Sequence, residues 1–133
     1  MSLTLQPLKI ARIHRETADA VSLTFDVPTE LQEMFAFEHG QYITLELPIG
    51  GEKVRRAYSM SSAPYEKQLT VTVKMVKNGK MSTFLNSQIT EGTVVDVLPP
   101  QGRFTTALDV ANRRTFYLLG GGSGITPLYS IAK

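Results

Sequence analysis

Arg56-Ala57-Tyr58-Ser59 brings a guanidinium, a phenol and a hydroxyl into four consecutive positions. On an extended strand, Arg56 and Tyr58 project to one face and Ala57 and Ser59 to the other. An arginine fork can hold a diphosphate through charge-assisted hydrogen bonds, each worth about 1.5–3 kcal/mol when well formed. Tyrosine offers a flat ring for stacking, and serine can donate to or accept from a ring nitrogen. A solvated strand with an exposed Arg and a packed Tyr is the plain alternative. The tetrapeptide alone does not choose between them.

Two glycine-containing stretches add further chemistry. Gly79-Lys80-Met81-Ser82-Thr83 opens a short helical pattern. A helix start presents unpaired N–H groups and partial positive charge to an anion. Ser82 serves equally as a plain N-cap there. A phosphate-binding P-loop is excluded, because its upstream glycine would fall at Lys74. Further on, the apolar run Thr115 to Leu119 leads into Gly120-Gly121-Gly122-Ser123-Gly124-Ile125-Thr126-Pro127. A strand, then glycines, then a proline in the first helical turn is how a βα unit of a nucleotide-binding sheet begins. A hydrolase elbow around Ser123 needs glycine where Ile125 stands.

The elements that must position these residues read mostly as strands. Leu8, Ile10 and Arg12 alternate with Lys9, Ala11 and Ile13; Val21, Leu23, Phe25 and Val27 alternate with Ser22, Thr24 and Asp26. Ile43, Leu45 and Leu47 share one face of a third strand, 41–47, and Pro48-Ile49-Gly50-Gly51 reads as a hairpin into a fourth, 53–60. Leu69, Val71, Val73 and Met75 mark the fifth, and 93–98 the sixth, stopped by Pro99-Pro100. A helical turn is expected over 29–35, with Leu31, Met34 and Phe35 on one face. Asn78-Gly79 turns the chain, and a short helix over 82–89 buries Phe84, Leu85 and Ile89. Six short strands at regular spacing suggest a barrel or sandwich, with the helix placed to close an open end.

Composition bounds the reading. The chain has 133 residues, 42% hydrophobic and 20% charged, within the ordinary range for one soluble globular domain. It has no cysteine, which excludes disulfides, thiolate zinc and an iron–sulfur cluster held by these residues. Two histidines, His14 and His39, do not suggest a metal centre. The net charge of +2 suits a phosphate-bearing small ligand and gives no dense basic patch for nucleic acid. No apolar run is long enough to span a membrane and no signal-peptide pattern opens the chain, so a cytoplasmic location is expected.

Together these residues resemble the ferredoxin–NADP reductase superfamily. Its flavin domain carries Arg-x-Tyr-Ser on the fourth strand, matched by Arg56 to Ser59. An aromatic-x-x-Gly-Gln-aromatic run one strand earlier is matched by Phe37-Glu38-His39-Gly40-Gln41-Tyr42, with His39 in place of the usual proline. Gly-x-x-Ser at a helix start is matched by Gly79 to Ser82, Pro-x-Gly-x-Phe by Pro100 to Phe104, and Gly-Gly-Ser-Gly-Ile-Thr-Pro by Gly121 to Pro127. The doubled arginine at 55–56 and the run from Thr17 to Ala20 look most like reductase subunits of phenylacetate-degrading oxygenases.

The resemblance implies a six-stranded antiparallel Greek-key β-barrel with one capping helix over residues 1–110, an FAD-binding domain. Residues 111–133 would begin an α/β NAD(P)-binding domain, left incomplete. It implies that Arg56 binds the FAD diphosphate, Tyr58 borders the isoalloxazine and Ser59 contacts flavin N5, Tyr58 and Ser59 being the catalytic pair. Ala57, Val73, Lys74, Gly79, Met81, Ser82, Thr83 and Thr126 complete the flavin contacts, and Gly121, Gly122 and Gly124 face the pyridine nucleotide. The parent activity would pass electrons from NAD(P)H through FAD to an iron–sulfur protein or domain or an oxygenase partner, with residues 1–133 inactive alone. A flavin-free interaction barrel and an FMN-binding barrel are the alternatives. His39 is expected at the surface of a loop, the Met and Phe residues 34, 35, 37 and 84 in the core, and Lys77 and Lys80 near the phosphates or simply solvated.

Overall fold

The computed structural model describes residues 3–105, 111 and 113–133. Six strands make one antiparallel sheet: β1 (Gln6–Thr17), β2 (Ala20–Asp26), β3 (Tyr42–Ile49), β4 (Glu52–Ser59), β5 (Leu69–Lys74) and β6 (Val94–Gln101). Their order is β4-β3-β6-β1-β2-β5. β6 returns from late in the chain to lie between β3 and β1, the long-return connection of a Greek key. A bridge between Met60 and Val71 brings the two edges together and closes the sheet into a barrel. Helix α1 (Lys80–Ser87) packs across β5, β3 and β4, and α2 (Ile125–Ala132) follows the glycine loop.

Period-2 alternation drives this arrangement. Val21, Leu23 and Phe25 of β2, Ile43, Leu45 and Leu47 of β3, and Leu69, Val71 and Val73 of β5 all point into a single core. Val95 and Val97 complete it from β6. The β3–β4 hairpin turns on Gly50-Gly51, with φ of +60° and +82° and Ile49 paired to Glu52. A two-residue loop with both φ positive is the connection that glycine makes cheap.

Several elements differ from expectation. β1 is longer than the alternation suggested, and its register shifts between Ile10 and Arg12. A bulged residue reverses the faces that follow, so Ile13 packs toward the core and Arg12 is exposed. β6 runs through Pro99-Pro100 instead of stopping there, and Tyr42 still pairs with Gln101 across an irregular register. The missing proline N–H groups are tolerated where the ladder is already interrupted. Only Thr29–Leu31 is helical in the expected 29–35 turn; Phe35 is buried, but Met34 is exposed. β5 ends at Lys74, leaving Met75 exposed.

α1 begins two residues earlier than expected and buries Met81, Ser82, Leu85 and Asn86, while Phe84 and Ile89 are only partly covered. His39, expected at the surface, is buried. Residues 115–119 form no strand; Tyr117 and Leu119 are 87% and 91% exposed. An apolar run of this kind suits a strand covered on both faces, and the described residues supply no neighbour for it. The expected domain boundary at residue 110 lies outside the described residues.

Candidate functional site

The candidate residues fall on the two faces of one barrel edge. Arg56 stands opposite Leu45 and Tyr58 opposite Ile43 in the β3–β4 ladder. Directly paired residues share a face, so Arg56 and Tyr58 continue the inward row of Val54 toward the barrel mouth. There the row leaves the core: Arg56 is exposed and Tyr58 half-buried. Burial pushes the Tyr58 phenol up to about 12, with the Arg56 guanidinium pulling weakly the other way. Tyr58 is therefore a neutral ring with an intact hydroxyl at any ordinary pH. Arg56 Nη1 donates to the Arg55 carbonyl at 2.8 Å. Arg55 points away and pairs with Glu46 at 2.9 Å.

The start of α1 comes to the same edge. Lys80 Nζ pairs with Glu52 at the beginning of β4. Chiefly this hydrogen bond and charge, with Arg56 adding to them, hold the Glu52 carboxyl below the usual range. The Lys80–Glu52 pair thus ties the start of α1 to β4, the strand that carries Arg56.

The helix start differs locally from the expected cap. Gly79 is the N-cap residue, and Ser82 lies inside the first turn. Ser82 Oγ accepts the Val76 N–H at 3.0 Å, tying the preceding loop to the helix. A Cβ on Gly79 would stand 2.6 Å from that oxygen, so glycine is needed for close approach. The side chains of Val73 and Met81 are in the core, which leaves only their backbone for a ligand. Thr83 is exposed, and its N–H bonds to the Gly79 carbonyl at 3.2 Å.

Ser59 pairs with Tyr42 on the outer face of the barrel, and Lys74, next to buried Val73, is exposed on that face too. Thr126 lines a groove of about 660 Å³ between α2 and this outer face, alongside Ser61, Ser62 and Thr72. The wall is fixed by α2, where Ser130 Oγ donates to the Ser62 carbonyl at 2.7 Å and Lys133 pairs with Glu66 at 2.8 Å. Gly121, Gly122 and Gly124 are exposed in the loop ahead of α2, and an added Cβ would meet nothing within 4 Å at any of them. Only Gly122 has a backbone that requires glycine, at φ +114°. Their backbones are open to close approach by a ligand.

Two of the motif glycines have a structural explanation. Gly40 has φ +89°, and a Cβ there would overlap the Phe104 carbonyl. Gly102, at φ +117°, lies against the Tyr42 ring, and Gln41 Nε2 donates to the Gly102 carbonyl at 3.3 Å. The Phe37–Tyr42 and Pro100–Phe104 motifs are therefore two sides of one packing contact.

Sequence reasoning missed Glu52, Arg15 and Asn86. Asn86 is buried; its Nδ2 donates to the carbonyls of Val73 and Ser82 at 3.1 and 2.9 Å, and Arg15 Nη1 donates to its Oδ1 at 2.9 Å. That network fixes α1 to β5 and β1. A lone Asn in a short helix carries no signal of such a role.

The six-stranded antiparallel barrel with its capping helix has the fold of ferredoxin-reductase FAD-binding domains. The chain belongs to the oxidoreductase FAD-binding domain family, whose model matches residues 7–106, within the ferredoxin reductase superfamily. It is 42% identical over 129 residues to the ferredoxin reductase component of 3-ketosteroid-9-alpha-monooxygenase from Rhodococcus rhodochrous, covering 95% of this chain and 36% of the relative. It is 35% identical over 128 residues to a component of the 1,2-phenylacetyl-CoA epoxidase from Escherichia coli (strain K12), covering 96% and 36%. Phthalate dioxygenase reductase, described as a modular structure for electron transfer from pyridine nucleotides to [2Fe-2S], superposes with a TM-score of 0.76 at 30% identity, covering 96% of this chain and 38% of that one. The chain spans about a third of the length of these relatives. Among the described residues no helix is long and apolar enough to cross a membrane.

Proposed function

We propose that this chain holds FAD along the β4 edge, in a protein that passes electrons from NAD(P)H to an iron–sulfur centre or an oxygenase partner. The observation that carries the reading is the Lys80–Glu52 pair, which ties the α1 N-terminus to β4, the strand that bears Arg56. Arg56 supplies a fork and the first-turn N–H groups of Lys80, Met81 and Ser82 supply dipoles, a donor set suited to a diphosphate. On binding, a diphosphate replaces the Glu52 carboxylate as partner of Lys80.

Tyr58 presents its half-buried ring beside the arginine, and Ser59 with Ala57 forms the rim that turns to the outer face. Lys74 and the backbone of Val73 extend that rim, and Thr126 closes it from α2. The open backbone at Gly121, Gly122 and Gly124 leaves room for a pyridine nucleotide. Held there, FAD would supply two-electron uptake and one-electron release, and the chain's own residues would position it. The names of the relatives support an oxygenase as the acceptor. Phenylacetate-type degradation is the finer reading, and it rests on the epoxidase relative.

Titration of the purified chain with FAD and FMN, followed by visible absorbance, tests the reading. FAD is expected to bind the more tightly, with a perturbed flavin spectrum. Equal affinity for both points to an FMN barrel, and absence of binding to a flavin-free module; either outcome refutes the proposal.

A further inference from the structure

One buried amide joins the two segments to which the flavin reading assigns the ring edge and the diphosphate. Asn86, in α1, is 8% exposed. An amide carries two N–H donors and a carbonyl acceptor, and all three are used. Nδ2 donates to the Val73 carbonyl at 3.1 Å, near the end of β5, and to the Ser82 carbonyl at 2.9 Å, in the first turn of α1. Oδ1 accepts from Arg15 Nη1 at 2.9 Å, and Arg15 Nη2 donates to the Asn86 main-chain carbonyl. A guanidinium only donates. Arg15 therefore fixes the oxygen end of the amide, and the nitrogen end has to face the two carbonyls.

The direction of this grip matters. Along β5 the main-chain groups alternate between the two edges of the strand. The Met75 N–H bonds to the Asp19 carbonyl at 2.6 Å, which sends the odd-numbered groups toward β2. The Ser61 N–H bonds to the Thr70 carbonyl at 2.9 Å, which sends the even-numbered groups toward the β4 side. Asn86 thus holds β5 from its β2 side and leaves the Lys74 main chain turned toward the side assigned to the flavin.

Residues 74–81 connect the two gripped carbonyls, and Met75, Val76, Lys77 and Asn78 among them are exposed. The bonds from the Val76 N–H to Ser82 Oγ at 3.0 Å and from the Gly79 N–H to the Val76 carbonyl at 2.9 Å fasten this connection to α1. The Asn86 amide spans directly from β5 to α1, as one planar group. A ligand held at two points gains from the second contact only when both points already stand at the right separation. We propose that Asn86 is a positioning residue for FAD: it sets the separation of the β5 end and the α1 start, and with it the affinity and seating of the flavin, without touching it. The inference rests on the flavin reading above, because it takes the two segments as contacts of one ligand.

FAD titration of the 133-residue chain and its variants tests this role, at a temperature where melting curves show each to be folded. Asn86→Asp is isosteric; it keeps the acceptor for Arg15 and removes both donors. Asn86→Ala removes the amide without adding a charge, and it decides the matter if the aspartate variant does not fold. Each is expected to weaken FAD binding about 10-fold, as one ligand hydrogen bond is lost from a displaced segment. Each should also change the visible circular dichroism of the flavin at saturation. Val95→Ala opens a gap in the β6 core, at a residue 0% exposed. It should lower the melting temperature and leave the FAD affinity and flavin spectrum of the folded chain as they were.

Folded Asn86 variants that bind FAD as the unaltered chain does overturn the proposal. So does a Val95→Ala variant that loses FAD affinity to the same extent, since any loosening of the barrel would then suffice. The two failures separate. Absence of FAD binding by the unaltered chain refutes the flavin reading and this role with it, whereas binding that survives undiminished in Asn86→Ala refutes the role alone.

Discussion

Arg56 and Tyr58 follow the inward row of β4 out of the core, and their chemistry comes from that position. A guanidinium at the barrel mouth is anchored by one bond to the Arg55 carbonyl, so most of its fork faces outward. Arg56→Ala is expected to weaken FAD binding about 10- to 100-fold, from loss of one charge-assisted bond, and FMN binding less. Calorimetric titration with both flavins measures the difference, and equal losses would count against a diphosphate role. Tyr58 makes a prediction in pH. Its folded-state pKa of about 12 lies above the ordinary phenol value of 10. Between those values the unfolded state gives up its proton first, so the contribution of the neutral phenol is present below about pH 10 and is lost as pH rises toward about 12. Melting temperatures at about pH 9 and 11 should differ less for Tyr58→Phe than for the unaltered chain.

At the scale of elements, the α1 entry is a tight construction. Gly79 admits the Ser82 hydroxyl, which in turn holds the Val76 N–H. Gly79→Ala is expected to break that bond and cost about 1–2 kcal/mol of stability, read by denaturant unfolding. Because the displaced turn carries the first-turn N–H groups, FAD affinity should fall as well, and an unchanged affinity would remove this turn from the site. The plain N-cap role that the sequence suggests for Ser82 falls instead to Gly79, and Ser82 lies inside the first turn. The Gly-x-x-Ser spacing was legible, but which atom the hydroxyl meets depends on how the Asn78-Gly79 turn folds back. Similarly, the β1 bulge exchanged the faces of Arg12 and Ile13, because alternation cannot register an extra residue in the ladder.

On the scale of the molecule, α2 decides where Thr126 lies. Ser130 is 1% exposed and donates to the Ser62 carbonyl, and the Lys133–Glu66 pair reinforces the contact at the helix end. Ser130→Ala should leave the Ser62 carbonyl without its partner at a cost of about 1–3 kcal/mol. Hydrogen exchange would then show faster opening of α2 than of the barrel strands. Uniform acceleration across the barrel would mean that α2 is no separate unit.

The barrel was legible because six runs alternate with period 2 and the turn chemistry at Gly50-Gly51 and Asn78-Gly79 agrees with them. The Arg56–Ser59 and Gly79–Ser82 elements stood out through the order of motifs they share with a known family, because the tetrapeptide alone fits a solvated strand equally well. Packing alone determined the rest. The partnership of Gly40 with Phe104 and of Gly102 with Tyr42 joins positions some sixty residues apart, and no local pattern encodes that pairing. The Glu52–Lys80 contact and the Asn86 network likewise exist only once the strand order and the Met60–Val71 closure are set. Sequence by itself determined which residues carry charge, hydroxyls and backbone freedom. Tertiary structure decided which of them share a face, because that depends on bulges and on strand order.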